Sequence, residues 1–205
     1  MTMLYFIRQS LFNCGLLACC LTFVDAQLGR IFEELDKTER GRQTIVLVWS
    51  DHGFMLGEHF YWRKGQLYDA NSKCAFLMRA PGVTKSGAVC RRIVEGVDIY
   101  PTLLELCGLP PASHAEGISF VPLLGEPELP WKKGSLVYRE KGKAVGLVTE
   151  RWRLNQFEGE PERSELYDHH ADPGEYRNLI KDPHHAELIR QLSEMAKGGW
   201  KGCLR

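Results

Sequence analysis

Between Thr44 and Lys64 the chain reads TIVLVWSDHGFMLGEHFYWRK. Thr44 to Trp49 is β-branched or apolar throughout and is bounded by polar residues. Such a run predicts a strand buried on both faces of a parallel sheet. The strand stops on Ser50, Asp51, His52 and Gly53. In open α/β sheets ligands and metals sit beyond the carboxyl ends of strands. An Asp and a His emerging there, beside a Gly that frees the backbone, stand where chemistry is usually done. A carboxylate with an imidazole can hold a divalent cation, and the carboxylate suits hard ions such as calcium or magnesium. Two ligands do not complete a site, and an Asp-His turn that merely ends a strand is the plain alternative. Lys64 is a point charge suited to an anion such as sulfate or phosphate, or an exposed lysine and nothing more.

Working outward, 205 residues with 44% hydrophobic and 25% charged composition describe one globular domain, or one with a small appendage. Basic and acidic residues balance at 26 each, and no polybasic tract occurs, so no nucleic-acid surface is indicated. The seven cysteines form no CxxC pair, which argues against a zinc knuckle. Cys19, Cys20 and Cys107 read as buried small hydrophobes, and Cys74 and Cys90, flanking a strand, are either free or paired.

Upstream, two readings of the first residues stand side by side. Arg8 followed by the apolar stretch from Leu11 to Val24, with Val24-Asp25-Ala26 after it, has the form of a signal peptide. Ala18, Leu21, Val24, Leu28, Ile31 and Leu35 recur at helical spacing and predict an amphipathic helix instead. No segment of the globular part reads as a membrane span.

Downstream, Leu67 to Lys73 predicts a short helical or looped link, Ala75 to Arg79 a second strand, and Gly87 to Val94 a third. Asp98 caps a helix from Ile99 to Cys107, with Pro101 in its first turn and Gly108 as its stop. A proline-rich connection follows. Ser135 to Glu140, Ala144 to Thr149 and Trp152 to Phe157 predict an antiparallel meander. The last helix runs from Pro183 to Lys197 on a Leu188, Leu192, Met195 stripe. The His169-His170 and His184-His185 pairs read as solvated. No GxSxG elbow supports a serine hydrolase.

Several of these strings together resemble the sulfatase family, most closely its iduronate-2-sulfatase-like branch. They are SDHGFMLGEHFYWRK (50–64), LMRAPGVTKSG (77–87) and VDIYPTLLELCGLPP (97–111), with FVDAQLGRIFEELD (23–36) before the strand. RWRLNQF (151–157) and ELYDHHADPGEYRNL (165–179) continue the match in the family's order. The resemblance runs from about Leu17 to about Leu192, and it favours the helix over the signal peptide. It implies a partial alkaline-phosphatase-like α/β sheet with flanking helices, plus a small C-terminal antiparallel β subdomain ending in a helix. Residues 1–130 would be the C-terminal portion of a catalytic domain and residues 131–205 the small subdomain.

By the same resemblance Asp51 and His52 match the later pair of calcium ligands, and Lys64 matches the lysine that holds the substrate sulfate. The ligand expected is a sulfated small molecule or glycan, and family members are often periplasmic, lysosomal or secreted. The family's nucleophile is a formylglycine made within a C/S-x-P-S-R motif, and no such motif occurs in this sequence. The early Asp-Asp metal pair is missing as well. The chain is therefore expected to be inactive alone. Its alternatives are the non-catalytic half of a split enzyme, completed by a separate N-terminal half, and a related phosphatase or phosphonate hydrolase.

Overall fold

A computed structural model describes residues 3–204, with side chains from residue 13 onward. Arg8 and Leu11, on which part of the signal-peptide reading rests, lie outside the described side chains. The elements in chain order are α1 (Met3–Asp36), α2 (Glu39–Arg42), β1 (Val46–Trp49), β2 (Met55–Leu56), β3 (Trp62–Arg63), α3 (Asp69–Ser72) and β4 (Phe76–Arg79). They continue with α4 (Ile99–Leu106), α5 (Val121–Gly125), β5 (Ser135–Arg139), β6 (Ala144–Val148), β7 (Trp152–Phe157), β8 (Glu165–Asp168), α6 (Ala186–Lys197) and α7 (Gly199–Gly202).

α1 passes unbroken through Val24-Asp25-Ala26, as the stripe predicts. The stripe itself is not covered, and Leu21, Val24 and Ile31 are all more than half exposed. Its Asn13–Asp36 part is long and apolar enough to cross a membrane by length and composition, as a core helix or a leader sequence also can be. That corrects the expectation of no such segment. The apolar stretch before Val24 merges with the stripe after it, and few charges interrupt the sum. α1 ends on Asp36, which holds Arg79 of β4 at 2.7 Å.

β1 does not sit in a parallel sheet. It pairs antiparallel with β4, Val46 opposite Arg79 and Trp49 opposite Phe76, in a two-stranded sheet. Nor is it buried on both faces: Val46 to Val48 are half-buried and Trp49 is exposed. A continuous apolar run reports what a strand is suited to pack against, not its direction or whether that cover is present. β2 and β3 form a small hairpin. The third strand expected over Gly87–Val94 is absent. Gly87 turns at φ +72°, Val89 is exposed, and Arg92 instead reaches Glu150 at 2.7 Å.

α4 forms where Asp98 and Pro101 place it, and Gly108 at φ +65° ends it. Asp98 acts differently from a simple cap. With Glu95 it makes a reciprocal capping box around the 3-10 turn Gly96–Asp98. β5, β6, β7 and β8 form one four-stranded antiparallel meander in sequence order. β8 extends the three strands expected. α6 lays Leu188, Leu192 and Met195 on this sheet, over a core of Leu147, Leu154, Leu166, Leu192 and Cys203. A second core gathers Phe120, Leu123 and Trp131, with Phe76 and Met78 of β4 against it.

All seven cysteines are free, Cys74 and Cys90 included. Cys19, Cys20 and Cys107 are exposed rather than buried. Apolar neighbours in sequence did not become a packed environment in space.

Candidate functional site

The loop after β1 is fastened at both ends. Ser50 N–H donates to Ala75 C=O at 3.1 Å, and Ala75 N–H returns a bond to Ser50 Oγ at 2.8 Å. Gly53 N–H donates to Asn71 C=O at 2.8 Å. A Cβ on Gly53 would stand 2.1 Å from Ala70 O, so only glycine lets the loop approach α3 this closely.

Asp51 and His52 project from this loop. His52 Nδ1 lies 2.7 Å from Gly53 O. A carbonyl only accepts, so Nδ1 carries the proton and donates. Nε2 is then left with its lone pair, and it faces Asp51 Oδ2 at 3.6 Å. Two acceptors so placed make no hydrogen bond to each other and leave room for a cation or water near both. This is the tautomer that a metal-ligating histidine uses, its other nitrogen fixed by a backbone carbonyl. The Asp51 side chain is 75% exposed and that of His52 33%, so the pair opens to solvent. Among the described residues no group of three or more His, Cys, Asp or Glu could hold a metal ion. The donor set thus fits one side of a cation site and does not fit a complete one, because calcium takes about 6–8 oxygen ligands.

Lys64 follows β3 and is exposed. Its flanks are bent, Arg63 at φ +78° and Gly65 at φ +102°. Asn71, only 5% exposed, holds this turn from beneath. Its Oδ1 accepts from Gln66 N–H at 2.6 Å, and its Nδ2 donates to Arg63 C=O at 3.2 Å. The Lys64 turn and the Asp51-His52 loop are therefore anchored on one short helix, α3. Nothing in the sequence singled out Asn71, since a lone Asn in a polar link reads as a turn residue. Its importance depends on partners five, eight and eighteen positions away.

α3 is in turn held by the C-terminal sheet. Arg153 of β7 is fully buried and donates to Leu67 C=O, to Asp69 Oδ1 at 3.1 Å and to Ser72 Oγ at 2.8 Å. Its Nε pairs with Glu175 at 2.6 Å, although the N–H is not aimed along that line. Glu175 also accepts from Asp69 N–H at 2.8 Å and meets His169 Nε2 at 2.7 Å. So His169 is a partner in this network, which corrects its reading as solvated. His185 likewise packs edge-on against Trp152, 5.4 Å between ring centres.

Near the β2–β3 hairpin His59 stacks between Tyr68 and Tyr176, with ring centres 4.0 and 4.8 Å away. Burial first, then the charge of Glu165, pushes the Tyr68 phenol up to about 12, so it stays protonated. Burial likewise raises the Cys74 thiol, which does not make it a nucleophile. A groove of about 930 Å3 runs along Phe76, Leu77 and Met78 toward Phe120 and Leu123. Asp51, His52 and Lys64 do not line it.

Comparison with known proteins shows the family of the chain. The family model described as "N-sulphoglucosamine sulphohydrolase, C-terminal" matches residues 57–198. A "Sulfatase" of Formosa agariphila is 34% identical over 185 residues, covering 88% of this chain and 36% of that protein. The "N-acetylglucosamine-6-O-sulfatase" of Bacteroides thetaiotaomicron is 29% identical over 182 residues, covering 84% of this chain and 33% of that one. A solved structure bound to its substrate D-glucosamine-2-N,6-O-disulfate superposes with a TM-score of 0.79 at 26% identity, over 89% of this chain and 39% of the other. A phosphonate monoester hydrolase of Silicibacter pomeroyi gives a TM-score of 0.76 at 29% identity, over 87% and 39%. The chain spans about a third of the length of the curated relatives it matches. The chain belongs to the sulfatase family, on an alkaline-phosphatase-like fold, and corresponds to the family's C-terminal part.

Proposed function

We propose that this chain supplies one wall of a sulfate-ester-hydrolysing site that acts on a sulfated glycan. In this reading Lys64 holds the sulfate, and Asp51 and His52 are two ligands of a calcium ion whose remaining ligands come from elsewhere. A bound divalent cation would neutralise charge on the sulfate. Lys64 places a second positive charge on the same group, and His52 keeps the tautomer that its bond to Gly53 imposes. The observation that carries the reading is the open pair of acceptors, His52 Nε2 and Asp51 Oδ2 at 3.6 Å, on a loop tied to the same helix as the Lys64 turn. The glycan substrate rests on the relatives, one named for N-acetylglucosamine-6-O-sulfate and one solved with a disulfated glucosamine. The strings 50–64 and 77–87 are the ground for the iduronate-2-sulfatase-like branch.

We infer also that residues 1–130 are part of the catalytic domain and 131–205 its small C-terminal subdomain, and that this polypeptide does not turn over alone. No C/S-x-P-S-R motif is present to provide the nucleophile. The exposed apolar residues Trp49 and Leu77 on the β1–β4 sheet suit a separate N-terminal half as partner. The test is twofold. Sulfate is titrated into the chain while the Gly65 and Gln66 backbone amides are followed by NMR, and a saturable shift is expected that Lys64→Ala abolishes. The chain with calcium is then assayed on an aryl sulfate, and no rate above buffer is expected. A sulfate response that survives Lys64→Ala would remove the role given to Lys64, and clear turnover would remove the need for a partner.

A phosphonate or phosphate ester is the second reading, favoured by the likeness to the phosphonate monoester hydrolase. Competition of phenylphosphonate against sulfate for the Lys64 response separates the two.

A further inference from the structure

We propose that Asn71 is a positioning residue, a clamp that sets the Lys64 ammonium in register with the Asp51-His52 loop. The proposal rests on the sulfate role given to Lys64 above. Three bonds carry it, and all three belong to one buried residue. The main-chain carbonyl of Asn71 fixes the end of the metal-side loop through Gly53 N–H at 2.8 Å. Its amide oxygen fixes Gln66 N–H at 2.6 Å, just after Lys64. Its amide nitrogen fixes Arg63 C=O at 3.2 Å, just before it.

The turn needs such a hold. Arg63 at φ +78° is a non-glycine residue in a left-handed conformation, which persists only where its surroundings over-determine it. Without the side-chain amide, Arg63 would relax toward ordinary backbone, and the lysine would swing with it. The complementarity is specific to an amide. One end must accept and the other must donate, so the side chain reads both edges of the turn at once. Asn71 touches neither sulfate nor metal in this scheme. It acts through Lys64.

The full chain is compared with Asn71→Ala, Lys64→Ala and Leu192→Ala, the last being a core variant that lowers stability without touching α3. Inorganic sulfate is the probe, with its Kd read by NMR well below each melting temperature. Hydrogen exchange of the Gln66 amide is read in parallel. Asn71→Ala is expected to weaken sulfate about tenfold, the loss of two ordinary hydrogen bonds, and to speed Gln66 exchange. Leu192→Ala is expected to lower Tm and leave the sulfate Kd unchanged, which separates positioning from loss of stability. If Asn71→Ala does not fold, Asn71→Ser is measured in its place, with a smaller loss in the same direction. A sulfate Kd within twofold of wild type in the folded Asn71 variant overturns the proposal, as does an equal loss in Leu192→Ala. A wild type with no sulfate response that Lys64→Ala removes overturns the Lys64 role first, and the clamp with it.

Discussion

Lys132→Met should be among the most damaging single changes in this chain. Lys132 is 6% exposed, and its Nζ lies 2.8 Å from both oxygens of Asp98 and 2.6 Å from Glu95 Oε2. Asp98 has no exposure at all. Its carboxylate also accepts from Glu95 N–H and Ile118 N–H, each at 2.9 Å. Those two donors remain when the lysine goes, but the counter-charge does not. Methionine keeps most of the volume, so the effect isolates charge from cavity. Leaving a buried carboxylate uncompensated costs about 3–5 kcal/mol, against a total stability of about 5–15 kcal/mol for an ordinary domain. Urea unfolding at neutral pH, with m compared between variants, measures it. The double variant Lys132→Met/Asp98→Asn removes the orphaned charge and should recover at least half of the loss. A single variant costing less than about 1 kcal/mol, or a double variant no more stable than the single, would refute the claim that an unpaired charge is the cause.

Arg153→Met should cost a similar amount, about 3–5 kcal/mol, because it removes the guanidinium counter-charge of Glu175, which is 2% exposed; urea unfolding reads it, and a cost under about 1 kcal/mol would reject the role of the pair. Gly53→Ala should force the Asp51-His52 loop away from Ala70 O, which its Cβ would meet at 2.1 Å, at a cost of about 1–3 kcal/mol with an altered Gly53 amide signal. Asp168 gives an acid limb to stability. The Arg151 guanidinium bonded to it, with help from His170 N–H, holds its carboxyl at about 2 instead of the ordinary 3.8. A lowered folded value means the contribution is present above about pH 4 and is lost as pH falls through about 2. Arg151→Ala should therefore lower stability above pH 4 and flatten its fall below that, in acid titrations followed by circular dichroism.

What could be read in the sequence followed how local its causes are. β5, β6 and β7 were legible because their apolar residues and tight turns specify the meander without outside help. β8 was missed because Glu165 and Asp168 at its ends look like loop, and only pairing with β7 makes them strand. The helical spacing of α1 was legible, but its exposure was not, since a stripe states a need for cover and not the presence of one. β1 carried the same defect, with the added error of direction. At the candidate site, Asp51 and His52 drew notice because they follow a strand end, although a turn that merely ends a strand reads the same way. Lys64 reads as an ordinary surface lysine by itself, and only the resemblance of the longer string suggests a role for it. Asn71, Arg153 and Glu175 were silent, because a buried polar side chain is defined by partners distant in sequence.

That division bears on how the site can stay in place. The β1–β4 sheet has only two strands and exposed apolar residues, so it is a weak platform by itself. The C-terminal sheet is different, with its own core of Leu147, Leu154, Leu166 and Leu192 closed by α6. The loops that carry Asp51, His52 and Lys64 belong in sequence to the weak platform, yet they hang on α3, and α3 hangs on Arg153 and Glu175 of the stable one. Local unfolding of β1 would therefore release the Asp51-His52 side of the proposed site while leaving its Lys64 side held. Native-state hydrogen exchange should show this order, with the amides of β1 opening at lower free energy than those of Gln66 and β7. Equal protection across β1 and β7 would mean that the two sheets unfold as one, and that the clamp through α3 adds nothing to what the sheets already share.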